Sequence, residues 1–419
     1  MKIIKRIKSG IKRIYERPIF LLIPLLYVIV LGVITHRELG ILKILLLKYS
    51  FIFIIIVLAL VGVCFIVKLI GTPIKAKKIE KSLYNIGFTD NSGDSPMLLS
   101  YKKSKNGIIL EFYSKMIPLA EYENHKEKIE TALNIKIVSI DFGKDMRHVI
   151  IKAVAASNNK KDMIYWNNKY LSSKDFELVL GESDFGIESI DIAVTPHILI
   201  GGGTGSGKSK LLKLILMESI KKGAKVFLAD FKGGIDYSSA WHKQCEIITE
   251  QEKFEIQLSI ILEIMEERRH MLVESETPNI GEYNQKTNSN IPRIIIACDE
   301  IAEVLDKTGL NKNEKELVSK IESKLSTIAR QGRAFGIHLI FATQRPDADV
   351  VKGQIKNNIG YRVCGRADKT LSQIILDTPE GANMISPNEQ GMFFTNTDVL
   401  FKAYYIDDDC LEELKGVDS

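Results

Sequence analysis

The sequence predicts an α/β fold with a parallel central sheet, preceded by a small α+β domain and two N-terminal transmembrane helices. Three observations lead there. Two uncharged apolar runs precede residue 75, a glycine-rich loop at 201–207 joins an apolar strand to a helical run, and the segments 293–298 and 337–343 are the nearly continuous apolar runs of strands buried on both faces. A length of 419 residues exceeds what one core usually supports, so the expected division is an anchor at 1–75, an α+β domain at 76–160 and the α/β domain at 161–419.

In the anchor, Ile19 to Thr35 and Tyr49 to Val67 carry no charge, and each is long enough to cross a hydrocarbon core as a helix. Lys2, Lys5, Arg6, Lys8, Lys12, Arg13 and Arg17 precede the first run, while Lys68, Lys75, Lys77, Lys78 and Lys81 follow the second. Both termini are therefore expected on the cytoplasmic side of the cell membrane, with the short apolar connector His36 to Lys48 at the outer interface. No small-residue cleavage site follows the first run, so a cleaved signal peptide is not expected. The net charge of +5 is concentrated here and is a topology signal first; the rest of the chain has too little positive excess to argue for nucleic acid by charge alone. Five cysteines, Cys64, Cys245, Cys298, Cys364 and Cys410, are odd in number and widely spaced without a C-x-x-C pair, which predicts reduced thiols and no Cys/His metal site.

Lys75 to Gly87 reads as a basic, amphipathic exit helix, broken by turn formers from Asn91 to Pro96. Met97 to Lys102 and Ile108 to Tyr113 flank Asn106-Gly107, a dipeptide suited to a tight hairpin. Ala120 to Leu133 has helical spacing, and Lys136 to Phe142 and His148 to Ala153 return to strand patterns. The order β-β-α-β-β carries no catalytic constellation and implies a spacer or assembly role. The polar stretch Ser157 to Asp162 marks the next boundary.

The chemistry concentrates after that boundary. In Gly202-Gly203-Thr204-Gly205-Ser206-Gly207-Lys208-Ser209-Lys210 the pattern G-x-x-x-x-G-K-S follows the strand at His197 to Ile200 and opens a helix from Lys210 to Lys222, stopped by Gly223. Such a loop frees backbone N–H groups to surround phosphates, sets Lys208 on the β and γ oxygens and lets Ser209 hold Mg²⁺, which implies ATP as ligand. Arg293-Ile-Ile-Ile-Ala-Cys-Asp-Glu300 then delivers Asp299 to the Mg²⁺ shell, with Glu300 beside it to orient and deprotonate water. The strand Ile337 to Thr343 ends in Gln344, placed to sense the γ-phosphate or polarise the attacking water. Together these predict a P-loop ATPase.

Phe176 to about Ile406 resembles the FtsK/SpoIIIE family of DNA-pumping motors, most of all the short conjugative coupling proteins of Gram-positive mobile elements. The likeness rests on Pro196-His197-Ile-Leu-Ile before the loop, Asp230-Phe-Lys-Gly-Gly234, Asp299-Glu300, Gly332-Arg-Ala-Phe-Gly-Ile-His338, Ala342-Thr-Gln-Arg-Pro346, Ile375-Leu-Asp377, Gly381-Ala382 and Gly391-Met392, in that order. The resemblance implies RecA-like domains assembled in a homo-hexameric ring, with ATP between neighbours and a trans-acting arginine. Arg333 is the residue it singles out, and Arg268 and Arg269 match a pair that secretion relatives use in a similar way. Chromosome-segregation members carry further membrane spans, a long linker and a DNA-reading winged helix; this sequence stops soon after Ile406, so sequence-directed polarity is not expected.

The function this implies is a membrane-anchored, ATP-driven DNA translocase that couples a relaxase–DNA complex to the membrane channel proteins of a conjugative system. DNA contact would be sequence-tolerant, with Lys352 and Lys356 as candidates. Protein export and chromosome-type pumping of double-stranded DNA are the alternatives, and a tethered NTPase that scaffolds without translocating is a third class.

Overall fold

A helix that is apolar all round finds no aqueous face, and the two apolar runs form helices that stay largely uncovered by the rest of the protein. The computed structural model describes residues 2–39, 45–103, 107–155, 163–344 and 353–412. Packing divides the chain into two compact units, Met1–Asn158 and Asn159–Ser419.

The first unit begins with α1 (Lys2–Glu16), α2 (Leu22–Leu39) and α3 (Leu45–Ile70). Pro18–His36 and Tyr49–Ile70 are long and apolar enough to cross a membrane, and only 6% of each is buried. Of the expected outer connector, 40–44 lie outside the described residues. Gly62 makes room for the ring of Tyr27, whose hydroxyl donates to the Leu58 carbonyl at 3.1 Å; a Cβ at Gly62 would lie 2.2 Å from that hydroxyl. α1 meets α3 backbone to backbone: a Cβ on Gly10 would lie 2.0 Å from the Val67 carbonyl oxygen, and one on Gly71 would lie 1.9 Å from that of Arg6. Arg6 is buried and donates to the Leu98 carbonyl and the Glu80 carboxylate. Arg13 donates to the carbonyls of Ile70 (2.8 Å) and Leu99 (3.2 Å). Two of the seven basic residues expected as a topology signal thus act as staples, and the anchor and the small domain share one compact unit.

That small domain contains α4 (Ala76–Asn85), β1 (Met97–Lys103), β2 (Gly107–Tyr113), α5 (Leu119–Asn124), α6 (Lys126–Leu133), β3 (Ile135–Phe142) and β4 (His148–Ala155). Its sheet is antiparallel in the order β1-β2-β4-β3 over a core that includes Leu98, Phe112, Tyr122, Ile129 and Ile151. The single helix expected from Ala120 to Leu133 is two, because His125 leaves helical geometry at φ −102°, ψ 10°. Asn106 and the boundary stretch 157–162 lie outside the described residues.

The second unit runs β5 (Ile164–Tyr165), β6 (Glu177–Ser183), β7 (Ile187–Asp191), β8 (Ile198–Gly201), α7 (Lys208–Lys221), β9 (Lys225–Ala229), α8 (Ser239–Gln244), β10 (Glu246–Ile248), α9 (Gln251–Glu274), α10 (Ile280–Thr287), β11 (Ile294–Cys298), α11 (Ile301–Leu305) and α12 (Lys312–Gln331). It continues with β12 (Ile337–Thr343), α13 (Gly353–Lys356), β13 (Tyr361–Cys364), α14 (Lys369–Leu376), α15 (Glu380–Met384), β14 (Met392–Thr395), β15 (Leu400–Tyr405) and α16 (Asp409–Glu412). Strands β10-β9-β11-β12-β8-β13 are parallel, as expected. Beyond β13 the sheet turns antiparallel through β14, β15, β6 and β7, an extension the motifs did not foretell.

Every residue of β11 and β12 is buried, which explains their unbroken apolar composition. Ile295, Ala297, Ile340 and Ala342 point into the cluster formed with α7, while α12 packs on β12 and α9. At the amino edge, two fully buried histidines tie β8 to β12. His197 accepts the Leu339 N–H at Nδ1 (2.9 Å) and donates from Nε2 to the Ala329 carbonyl (3.1 Å); His338 donates from Nδ1 to the Pro196 carbonyl (2.9 Å) and accepts from Arg293 at Nε2 (3.3 Å). Each ring uses one nitrogen as donor and the other as acceptor, so each is neutral. Burial lowers His197 to about 4 and holds His338 well below the usual histidine range, helped by Arg293.

Candidate nucleotide site

In a parallel sheet the strands all end on one edge, and ligands gather outside their carboxyl ends. Here β8 ends in the loop 202–207, its neighbour β12 ends at Gln344, and β11, one strand further, ends at Asp299 and Glu300. Residues 140 positions apart in the chain therefore converge: Thr204 Oγ1 donates to Gln344 Oε1 at 3.0 Å.

The loop owes its course to glycine. Gly202, Gly205 and Gly207 have φ of 155°, 73° and 100°, a region that side chains with a Cβ rarely enter. Space is tight as well, since a Cβ on Gly202 would lie 2.5 Å from Ser206 Oγ and one on Gly207 would lie 3.2 Å from the Gly391 backbone. The helix opens at Lys208, two residues earlier than the periodicity suggested, so the N–H groups of Lys208, Ser209 and Lys210 all belong to its first turn. The Lys210 side chain turns elsewhere, over the Tyr405 ring at 4.7 Å and towards the Ile406 carbonyl.

Lys208, 4% exposed, donates to the Asp299 carbonyl (2.5 Å) and to Asp299 Oδ1 (3.2 Å). Ser209 Oγ donates to Oδ1 and Oδ2 of the same carboxylate at 3.1 and 3.3 Å. Glu300 is buried and held from both sides: Thr343 Oγ1 donates to Oε1 at 2.7 Å, and the Gln344 N–H donates to Oε2 at 3.0 Å. A carboxylate so fixed points in one direction only.

These residues fit a nucleoside triphosphate with Mg²⁺. The positive-φ glycines make a cradle that a Cβ would fill, and Ser206 Oγ is buried without a hydrogen-bond partner. Ser209 and Asp299 set one hydroxyl beside one carboxylate, the kind of oxygen donors that would suit Mg²⁺. Among the described residues no cluster of three or more His, Cys, Asp or Glu side chains forms a separate metal site.

Sequence reasoning missed the loop's backing. Arg366 donates to the Thr204 carbonyl (2.7 Å) and the Pro387 carbonyl (2.8 Å), its own carbonyl accepts from Gly203 N–H (2.8 Å), and Gly391 N–H donates to the Ser206 carbonyl (2.8 Å). Only Gly391 lay in a singled-out motif; nothing in Cys364-Gly-Arg366 announced a partner of the loop. Thr343 stood inside the quoted Ala342-Thr-Gln-Arg-Pro346 but was given no role of its own. Also missed was Tyr237, whose buried hydroxyl has no hydrogen-bond partner; burial and the field of Asp299 hold it above the usual phenol range.

The arginines part company. Arg268 is buried and spends its guanidinium on the carbonyls of Phe335 (2.5 Å) and Pro292 (2.7 Å); burial, then Arg293, lowers it to about 10. That removes it from the trans-acting candidates. Arg269 is half-exposed, bonded to Glu266 (3.0 Å) and Gln331 (2.9 Å). Arg333 is exposed, with Nε donating to the Ala193 carbonyl at 3.2 Å. It precedes β12 on the amino edge of the sheet, and a strand of that length separates it from its own phosphate loop by roughly 20 Å. The Lys356 ammonium pairs with Asp377 at 2.7 Å, and Arg362 binds the same carboxylate. Lys352, Arg345 and Pro346 lie outside the described residues.

Comparison with known proteins agrees with this geometry. Residues 183–358 match the family described as "Helicase HerA, central domain". The chain is 33% identical over 236 residues to the DNA translocase FtsK of Helicobacter pylori, covering 54% of this chain and 27% of that protein. With the Lactococcus lactis subsp. cremoris FtsK it shares 29% over 263 residues, 57% of this chain and 33% of the relative. It thus spans about a quarter to a third of the length of these curated relatives. A solved structure, the pCW3 conjugation coupling protein TcpA in monomer form with ATPgS, is 34% identical at a TM-score of 0.60, covering 81% of this chain and 99% of that one. With phosphate loop, acidic pair and sheet order in place, the chain belongs to the FtsK/SpoIIIE family of P-loop ATPases.

Proposed function

We propose that the protein is a membrane-anchored, ATP-driven DNA translocase that acts as the coupling protein of a conjugative transfer system. The observation that carries this reading is the convergence of the loop 202–209, Asp299, Glu300 and Gln344 on one sheet edge, in a chain that covers 99% of a conjugation coupling protein.

ATP is held by the loop N–H groups and Lys208. Mg²⁺, held by Ser209 and Asp299, would neutralise charge on the phosphate oxygens. Glu300, fixed by Thr343 and the Gln344 N–H, orients the attacking water and accepts its proton. Gln344, bonded at once to Glu300 through its N–H and to the loop through Thr204, passes the state of the γ-phosphate to β12. The exposure of Arg333 and its remoteness from its own loop support service to the next protomer's site in a homo-hexameric ring. The basic flanks of the two spans support cytoplasmic termini, where relaxase-bound DNA would be received and threaded towards membrane channel proteins.

The test is ATP hydrolysis by the purified full-length chain with and without DNA of mixed sequence. Stimulation by DNA that falls with added salt and vanishes in Glu300→Gln is the expected result. Turnover indifferent to DNA but raised by a secreted peptide would replace translocation with export.

A further inference from the structure

Helix α1 carries an apolar row that the anchor's own packing does not use and, beside it, a lysine row in which Lys5 Nζ lies 3.1 Å from the Tyr113 ring centroid and Lys12 pairs with Glu16. With successive residues about 100° apart around the axis, Arg6, Gly10 and Arg13 share the face that meets α3 and β1. Ile4, Ile11 and Tyr15 line up on the far side, exposed by 60%, 58% and 88%, and Lys5, Lys8 and Lys12 form the next row. The lysines rim a cleft of about 330 Å³ whose opposite wall includes Ser100 and Lys102 of β1 and Lys144 after β3. Six lysine and arginine side chains line it against two glutamates, of which Glu16 is paired with Lys12 at 3.5 Å. Because α1 abuts Val67 and Gly71, the cleft lies level with the end of α3.

We propose that this cleft binds the phosphate of an anionic phospholipid of the cytoplasmic leaflet, with α1 lying in the interface and the acyl chains running along Ile4, Ile11 and Tyr15. The inference rests on the reading of α2 and α3 as membrane spans. Lysines alone would serve a nucleic-acid backbone equally well. The contiguous apolar row decides between them, since a leaflet removes it from water and a polyanion leaves it wet.

The experiment uses the full-length chain reconstituted in phosphatidylcholine vesicles carrying a trace of photoactivatable phosphatidylglycerol. Crosslinks should map to the α1 and β1 peptides and fall roughly tenfold in the Lys8→Gln/Lys12→Gln double variant, with Lys8→Arg/Lys12→Arg restoring them. Unchanged nucleotide binding by the double variant shows that it is folded. Crosslinks spread evenly over both spans, or equal in the double variant, overturn the headgroup site. If the double variant instead weakens binding of a labelled oligonucleotide to the detergent-solubilised chain while lipid crosslinking stays the same, the cleft is a nucleic-acid track and the proposal falls. Retention in alkali-washed vesicles reports the spans separately: a chain that washes off overturns the membrane reading itself, whereas a retained chain without selective crosslinking overturns only the lipid site.

Discussion

Lys208 is bonded to Asp299 through both its carbonyl and its carboxylate, so one residue serves the fold and the ligand at once. Lys208→Ala should weaken ATP binding by roughly a hundredfold or more, the scale of a lost charge-assisted contact; a fluorescent nucleotide titration reads it. A melting curve on the same variant should show a modest loss as well, because Asp299 keeps its burial and loses its cation. Glu300→Gln is expected to bind ATP normally and to hydrolyse it at least ~100-fold more slowly. Thr343→Val removes a 2.7 Å donor from Glu300 without touching the nucleotide. Its kcat should drop about tenfold while KM stays close to the native value, and a KM that rises in step would show Thr343 to be part of the binding surface. Lys208, Ser209, Asp299 and Glu300 could be read from spacing alone, because phosphate chemistry restricts which residue types can stand there. Thr343 and Arg366 could not, since a threonine at a strand end and an arginine after a glycine occur for many reasons.

Among the elements, β11 and β12 were legible because a strand buried on both faces is nearly all apolar, and α7 because it follows the glycine loop and stops before Gly223. The antiparallel strands β14, β15, β6 and β7 were not. β15 mixes buried and partly buried residues, β6 lies near the start of the unit while β14 and β15 near its end pair with β13 and β6, and no local pattern encodes a partner so distant in sequence. The motif histidines also read differently in the fold, as stitches between β8 and β12 rather than reacting groups. Their protonation gives the sheet a pH dependence with a definite sign. Both have folded pKa values depressed below the unfolded value, so the unfolded chain binds more protons; the stability they contribute is complete above about pH 6.5 and drains away as the pH falls towards 4. Glu218 works the opposite way. Raised to about 7 by burial, it favours the fold when protonated, and its contribution is lost as the pH climbs through that value. Melting temperatures of the detergent-solubilised protein should therefore decline on acidification from neutrality. His338→Gln, which can still donate and accept, should flatten that decline, and an unaltered slope would remove the histidines as its cause.

For the molecule as a whole, the division of labour proposed between protomers can be tested directly. Arg333→Ala should leave nucleotide affinity unchanged and abolish DNA-stimulated turnover. Mixing that variant with Glu300→Gln should recover a fraction of wild-type hydrolysis, because some interfaces then combine an intact glutamate with a neighbour's intact arginine; no recovery at any ratio would place Arg333 outside the reaction. The contact of Gly391 with Ser206 and Gly207 has a consequence for how such a protein is made. The ribosome releases the glycine loop long before it releases the residue that props it from behind, so an emerging chain would carry the full signature and still lack a rigid seat for ATP. Nucleotide capture would then be among the last events of biogenesis, following both membrane insertion and closure of the sheet, and a half-made motor would have no means of burning fuel.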